Sequence, residues 1–393
     1  MTMRIEAVDL FYLSMPEITE EADGSQDALL VRVAAGGRCG YGECEAAPLP
    51  SIAAFVCPMS HGVCRPVGAS VLGAVLDGPE DIARIAARVA YSSMDLLQAA
   101  HTWSGIEMAL WDLLGKARDA PVWSLLGYAQ SHAKTPYASQ LFGDTPQETF
   151  ERGRAQRDAG FRAVKFGWGP IGRGSVAEDA DHIMAAREGI GPDGVLLVDT
   201  GQIFGEDVDA AAARLPALEA ATTTWLEEPF AAHAYDAYAA LARQCRTVRL
   251  AGGEAAHNAF MARHLLEYGR VGFIQIDCGR IGGIGPAKRV AEHAVANAAT
   301  YVNHTFTSPL ALSASLQPFA GLRSHRLCEF PVHPKPLATA FTRNGFVRDR
   351  AGEIAAPDAP GLGIEIDWNG VRRYLVETEI TVAGKVLYRT PTI

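Results

Sequence analysis

Three stretches of the sequence decide the fold: residues 195–201, VLLVDTG; residues 223–230, TTWLEEPF; and residues 248–254, VRLAGGE. Each is an apolar, strand-like run that ends in an acidic residue, and these residues are Asp199, Glu227 and Glu254. The steps between them are 28 and 27 residues, about the length of a strand, a helix and two loops in a parallel barrel. The carboxyl ends of barrel strands open onto one face, so the three carboxylates should converge and repel one another unless a hard cation lies between them. The spacing therefore predicts a Mg²⁺ site at the mouth of a barrel.

The same pattern continues on both sides of these stretches. Upstream, RAVKFG places Lys165 at a strand end; downstream, the runs FIQIDCG, TYVNHTF and LCEFP supply Asp277, His304 and Glu329. The downstream steps are 23, 27 and 25 residues. Any one of these groups alone is best explained as a solvated loop charge, but seven in register favour a functional face. From YASQLFG to LCEFP we count eight predicted strands, and helical patterns separate them.

The bulk composition narrows the class of protein. A chain of 393 residues is long enough for two domains, and 48% hydrophobic with 20% charged residues is ordinary for a globular enzyme. The net charge of −10 comes with no basic patch, which argues against nucleic acid as a partner. No apolar run reaches membrane-spanning length and the first residues lack a signal-peptide core, so we expect a cytoplasmic protein with no membrane partner. Seven scattered cysteines argue against a disulfide framework.

The motifs together resemble the enolase superfamily, in its mandelate racemase-like branch. The resemblance rests on GIEMALWDLLGKA, WLEEP, GGE, the Asp277-x-x-Arg280-x-Gly282-Gly283 stretch and the Asp277/His304 pair. It implies an α/β fold: a modified (β/α)₇β TIM-like barrel under an α+β capping domain formed by both chain ends. We predict residues 1–128 as the N-terminal part of the cap, residues 129–334 as the barrel and residues 335–393 as the segment that completes the cap.

The resemblance also implies a chemistry, removal of the proton α to a carboxylate. It implies an essential Mg²⁺ held by Asp199, Glu227 and Glu254, which would stabilise the enediolate that forms. His304 suits the general base because its ordinary pKa lies near working pH, and Asp277 would orient its ring. Arg280 matches a position where the family often has a cation. Glu329 matches a position that donates to, or shares a proton with, the substrate carboxylate.

Two positions depart from the family pattern. The branch normally ends its second strand with Lys-x-Lys, the second lysine being a base on the opposite face of the substrate, but this chain reads Lys165-Phe166-Gly167. Lys165 then either binds the substrate or pairs structurally with a metal-ligand carboxylate, and the sequence does not choose between these roles. At the third strand, Gly201 replaces a family amide, and we expect it to make room for a larger substrate.

We predict an acid-sugar dehydratase that acts on an aldonate or aldarate. The lack of a second-strand base argues against racemisation, and His304 could return its proton to a departing 3-hydroxyl to give a 2-keto-3-deoxy acid. A 2R acid is expected, and a pentonate such as lyxonate is one candidate. The alternatives are a cycloisomerase or other one-base isomerase, and a non-catalytic metal- or acid-binding protein.

Substrate specificity is expected to come from loops of the cap. Residues 16–27 fit such a loop, and His61 and Arg65 are candidate substrate contacts, although surface positions explain both equally well. We also expect a homo-oligomer.

Overall fold

The computed structural model describes residues 2–20, 26–44 and 47–393, so part of the predicted specificity loop at 16–27 lies outside the described residues. The N-terminal region pairs four antiparallel strands in the order β3-β2-β1-β4. These strands are β1 Met3–Ser14, β2 Asp27–Ala35, β3 Arg38–Cys44 and β4 Val75–Leu76. The helices of this region are α1 Pro48–Val56, α2 Gly68–Val71, α3 Pro79–Ser92, α4 Ala99–Arg118 and α5 Val122–Leu125.

Helix α4 joins the N-terminal sheet to the rest of the molecule. It is buried almost all round, as expected for a helix enclosed between two layers. Glu107 of α4 accepts hydrogen bonds from the backbone N–H groups of Ile284 and Gly285 at 2.7 and 2.8 Å. Ser104 accepts one from Gly282 N–H at 2.9 Å. Helix α4, which contains the GIEMALWDLLGKA motif, therefore fixes the backbone of residues 282–285 through these hydrogen bonds.

The predicted barrel is confirmed as eight parallel strands in the order β11-β10-β9-β8-β7-β6-β5-β12. The strands are β5 Thr135–Leu141, β6 Ala163–Gly167, β7 Val195–Asp199, β8 Thr223–Glu227, β9 Arg249–Gly252, β10 Phe273–Asp277, β11 Thr300–His304 and β12 Leu327–Pro331. The helices between them are α6 Pro146–Asp158, α7 Val176–Ile190, α8 Val208–Ala212, α9 Leu215–Ala220, α10 Tyr235–Ala242, α11 Ala259–Glu267, α12 Ile284–Ala296 and α13 Pro309–Leu316. A short 3₁₀ helix, Gln317–Phe319, follows α13.

The register of the strands brings the ionisable residues to one level. Gly167 pairs with Asp199, and Asp199 in turn pairs with Glu227. On the other side of the barrel Asp277 pairs with His304. Successive residues of a strand point to opposite sides of the sheet, and residues paired across neighbouring strands point to the same side. The side chains of these pairs therefore point inward together at the carboxyl ends of the strands.

A layer of apolar rings closes the barrel beneath that level. Tyr137 meets Trp225 edge to face with ring centroids 5.5 Å apart, and Trp225 lies 5.0 Å from Phe273. The three rings are buried. They form a rigid, water-poor floor under the charged residues, which strengthens electrostatic interactions above it.

The C-terminal segment returns to the N-terminal sheet. Its elements are α14 Pro336–Ala340, α15 Trp368–Tyr374, β13 Glu379–Val382 and β14 Lys385–Arg389. Val376 N–H donates to the carbonyl oxygen of Tyr12 at 2.8 Å, and the Tyr388 hydroxyl donates to that of Leu10. Across the described ranges, no helix has the length and apolar character needed to span a membrane.

Candidate active site

Lys165 lies at the centre of a group of buried carboxylates. Its Nζ is 2.7 Å from Oε1 of Glu227, 2.9 Å from Oε1 of Glu329 and 3.6 Å from Oδ2 of Asp199. Burial by itself would lower the pKa of Lys165, but the charges of Glu227 and Glu329 outweigh it and raise that pKa well above its ordinary value. Lys165 is therefore held protonated and is a poor proton acceptor in this arrangement.

Asp199 and Glu227 are each fixed by a hydrogen bond from close by in the chain. Trp225 Nε1 donates to Oε2 of Glu227 at 3.0 Å, and Gly201 N–H donates to Oδ1 of Asp199 at 2.9 Å. Burial and the nearby charge of Glu227 raise the pKa of Asp199 well above its ordinary value. Burial also raises the pKa of Glu227, with Lys165 opposing it. The single positive charge of Lys165 thus compensates this pair only in part.

His304 and Asp277 form a buried hydrogen-bonded pair. His304 Nδ1 is 2.8 Å from Oδ2 of Asp277, whose Oδ1 accepts from Gly279 N–H at 2.6 Å. Burial opposes protonation of His304, but the charges of Glu254 and Glu329 and the bond to Asp277 raise its pKa to about 10. With Nδ1 engaged by Asp277, the other ring nitrogen, Nε2, is the one left to act on a substrate.

Glu254 faces His304 and Arg280. Its Oε2 is 3.1 Å from His304 Nε2, and its Oε1 is 3.3 Å from Arg280 NH1. The preceding Gly253 has φ +125°, and a Cβ there would lie 2.8 Å from the carbonyl oxygen of Gln275, so only glycine allows this turn. Desolvation opposes ionisation of Glu254, but His304 and Arg280 outweigh it and lower the pKa.

The donors suit a hard divalent cation, although their side chains do not form a ready-made set of three ligands. In the part of the chain that the structure describes, no three His, Cys, Asp or Glu side chains are grouped as metal ligands. Asp199 and Glu227 instead contact Lys165, while Glu254 contacts His304. The donors are all carboxylate oxygens, which Mg²⁺ prefers, and the mutual repulsion that raises the pKa of Asp199 is what a divalent cation relieves.

The remaining predicted residues fall into two groups. Glu329 lies with the cluster: besides Lys165, its Oε2 accepts from Thr305 N–H at 2.8 Å. His61 instead forms an exposed ion pair with Asp95 at 2.8 Å, and the backbone of Arg65 bonds to Ser92 and Ser93. None of these bonds joins His61 or Arg65 to the strand-end cluster, and their role in substrate binding stays a prediction.

Sequence reasoning missed a buried carboxyl beside the cluster. Gln202 Nε2 donates to Oε2 of Glu228 at 2.9 Å, and burial, followed by the charge of Glu254, raises the pKa of Glu228 to about 8. The second acidic residue of WLEEP marks Glu228 in the sequence. No sequence motif marks its partner Gln202, which lies in a left-handed turn at φ 64°.

Sequence reasoning also missed a histidine pair between cap and barrel. His101 Nε2, in the first turn of α4, is 3.0 Å from His257 Nδ1. Burial, with His257 and Arg280 adding to it, lowers the pKa of His101 to about 4. No local motif links two histidines 156 residues apart, so only the fold reveals this contact.

The space expected at Gly201 is taken by a neighbouring side chain. A Cβ at Gly201 would lie 2.8 Å from Cε2 of the Trp168 indole. The expectation that this glycine simply makes room for a larger substrate is therefore corrected: the indole of Trp168 fills that room.

The fold is typical of a barrel enzyme whose active site lies at the carboxyl ends of eight parallel strands, here with acidic strand ends and an N-terminal α+β cap. Comparison with known proteins identifies the family. Residues 149–370 match the enolase C-terminal domain-like family, and residues 15–127 match the mandelate racemase/muconate lactonizing enzyme N-terminal domain. The chain belongs to the enolase superfamily, in its mandelate racemase-like branch.

Individual relatives agree with this assignment. A D-galactarolactone cycloisomerase from Agrobacterium fabrum is 31% identical over 287 residues, which span 69% of this chain and 73% of that protein. A 3,6-anhydro-alpha-L-galactonate cycloisomerase from Streptomyces coelicolor is 27% identical over 281 residues, spanning 70% and 72%. A crystal structure described as a "predicted Mandelate racemase from Rhodobacter sphaeroides" is 71% identical, covers 99% of this chain and 100% of that one, and superposes with a TM-score of 0.97.

Proposed function

We propose that this protein removes the α proton of a sugar acid with a single base, His304, and then expels an oxygen from the β carbon. The observation that carries the proposal is the 2.8 Å His304–Asp277 pair set opposite a lysine that three carboxylates keep protonated. His304 can act as the base once Glu254, which lies 3.1 Å from its Nε2 and favours its protonated form, is turned away. Gly167 has no side chain that could act as a second base.

The proposal includes Mg²⁺ held by Asp199, Glu227 and Glu254. When bound, this cation would draw electron density from the substrate carboxylate and so make the α proton more acidic. Binding it would take Glu254 away from His304, from which it now lies 3.1 Å. Removing that negative charge eases release of the proton from His304 and leaves Nε2 free for the substrate.

The chain's own residues would then carry the proton transfers. Asp277 holds Nδ1, so Nε2 takes the α proton and the C–H electrons move into the enediolate. As the enol double bond forms, the bond from the β carbon to its oxygen breaks. Lys165, being protonated, can stabilise negative charge on the carboxylate or on the departing oxygen. The resulting enol tautomerises to a 2-keto-3-deoxy acid.

The departing oxygen distinguishes two candidate reactions. If it belongs to a ring, the ring opens, the oxygen stays attached and the mass is unchanged: this is a cycloisomerase, which the two curated relatives favour. If it is a free hydroxyl, water is lost: this is a dehydratase, the second candidate, in which His304 returns its proton to the hydroxyl on the same face. The cycloisomerase is our first candidate, since an oxygen that departs as part of a lactone carboxylate needs no acid catalyst.

A substrate panel tests the proposal. Matched ring-form and open-chain acids, among them galactarolactone with galactarate and 3,6-anhydrogalactonate with galactonate, are incubated with the enzyme and Mg²⁺. Mass spectrometry and a 2-keto acid assay then separate the outcomes. A keto acid of unchanged mass supports the cycloisomerase, loss of water supports the dehydratase, and no keto acid from any pair would contradict the proposed function.

A further inference from the structure

Trp168 directly follows Gly167, the position at which the family pattern has a second lysine, and Trp168 has an unusual backbone conformation. Its φ of 55° lies in the left-handed region, which bulky side chains rarely adopt. Its N–H donates to the carbonyl oxygen of Asp199 at 3.1 Å. Such a conformation persists only where the surroundings hold it, and it is often found at functional sites.

The indole of Trp168 lies against the backbone of the next strand's loop. Positions Cε2 and Cδ2 of the ring would be 2.8 and 2.9 Å from a Cβ at Gly201, so any side chain there would displace it. Gly201 also donates its N–H to Asp199 at 2.9 Å. The two glycines that depart from the family pattern, Gly167 and Gly201, thus flank one aromatic ring beside Asp199.

Trp168 is partly exposed at the carboxyl end of β6, which ends at Gly167. Trp168 is 39% exposed, and Ile203, in the same loop as Gly201, is also 39% exposed. The charged cluster beside them is buried. A large apolar surface left open next to a polar site is typical of a ligand pocket, in which apolar walls surround a few oriented polar groups.

We infer that Trp168 is a substrate-binding residue whose indole face stacks on the C–H face of a ring-form sugar acid. The inference rests on the proposed function and names its substrate class. The negative face of an indole attracts the weakly positive C–H groups of a sugar ring. A closed ring presents these groups already aligned, whereas an open chain must lose conformational freedom to do so.

The test measures binding without turnover. The ligands are one matched pair from the panel, a ring-form acid and its open-chain counterpart, chosen because the wild type converts a member of that pair fastest. Calorimetry measures the affinity of the His304→Asn protein for each of the two acids in the presence of Mg²⁺. Trp168→Asn removes the aromatic face but suits a left-handed backbone, and Trp168→Phe keeps a smaller face. Tyr268→Asn removes another exposed aromatic side chain, at the C-terminal end of α11, and serves as the matched control. Circular dichroism confirms folding of each variant.

The inference predicts an unequal loss of affinity. Trp168→Asn should weaken ring-form binding about tenfold or more and open-chain binding less than threefold, with Trp168→Phe in between and Tyr268→Asn unchanged. Equal losses for both ligands, no loss for either, or a wild type that converts only open-chain acids would overturn it. If the wild type forms a keto acid from no member of the panel, the proposed function itself fails, and this inference fails with it.

Discussion

His304 is the residue on which the proposed reaction depends. Its Nδ1 is hydrogen-bonded to Asp277 at 2.8 Å, so Nε2 is the ring nitrogen that would contact the substrate. We predict that His304→Asn lowers kcat by about 10²–10⁴-fold or more, the usual cost of removing a positioned general base, while the dissociation constant of the substrate changes little. Steady-state kinetics and calorimetry on the same preparation check this. Near-normal kcat in the variant would assign proton removal to another group.

Lys165 gives a second prediction at this scale. It is the cation that Glu227, Glu329 and Asp199 share, and removing one partner of a buried ion pair leaves an uncompensated charge. We expect Lys165→Met to lower the free energy of unfolding of the metal-free protein by about 3–5 kcal/mol, measured by urea denaturation.

Lys165→Arg is the control for charge, since it retains the cation. If Lys165→Met were as stable as the wild type without metal, these ion pairs would not be contributing as their distances indicate.

Among the secondary-structure elements, β5 and the 3₁₀ helix after α13 are joined by a buried lysine. Lys134 Nζ donates to the carbonyl oxygens of Phe319 and Leu322, both at 2.9 Å. Burial, with Arg326 adding to it, lowers the pKa of Lys134 to about 8, and Cys328 opposes the shift. The neutral lysine is therefore favoured in the folded protein at a pH where the unfolded chain still binds the proton.

This difference sets the sign of a pH effect. Between pH 8 and the ordinary lysine pKa of about 10.4, the unfolded state binds more protons, so this group's contribution to stability rises with pH and is lost as pH falls through about 8. We predict that the stability of the wild type relative to Lys134→Met increases from pH 7.5 to pH 9.5. Urea denaturation of both proteins at each pH measures it, and a constant or falling difference would contradict the assigned shift.

The elements themselves were largely predictable from the sequence. Apolar runs that end in charged residues locate the strands. A threonine followed directly by proline and, two positions later, by glutamate is typical of a helix start. Thr145, Pro146 and Glu148 fit this pattern, and Thr145 accepts from Glu148 N–H at 3.2 Å at the start of α6. The composition and spacing of DVDAAAARLPALEAA, residues 207–221, are typical of one helix, but the run forms two, Val208–Ala212 and Leu215–Ala220. Pro216 explains the break, because it has no N–H and its ring clashes with the preceding turn.

The sequence predicted which ionisable residues lie at the strand ends, but not the contacts among them. The one-repeat spacing identified Asp199, Glu227 and Glu254, yet nothing local shows that Glu254 turns toward His304. The packing of Trp168 on Gly201 likewise depends on a left-handed backbone and on a neighbouring loop. Such features arise from contacts between distant segments, which periodicity and spacing do not encode.

At the scale of the whole molecule, a bound cation should stabilise the fold. Asp199 and Glu227 repel each other in a buried site, and a ligand that binds only the native state stabilises it by about 2.7 kcal/mol at 100 times its dissociation constant. We predict that Mg²⁺ raises the Tm and that chelation abolishes activity until Mg²⁺ is restored. Differential scanning calorimetry with and without Mg²⁺ checks the first part, and Asp199→Asn should lose most of the shift. An unchanged Tm in the wild type would argue against the proposed metal site.

In the proposed reaction one base acts on one face of the substrate. The most direct measurement follows the α proton by NMR in D₂O with Mg²⁺, using both α-epimers of the acid that the enzyme converts. We predict that only one epimer, expected to be 2R, is consumed and that its α proton is released. The other epimer should never appear, and His304→Asn should release no α proton. Interconversion of the two epimers, or release of the α proton by His304→Asn at the wild-type rate, would contradict the proposed reaction.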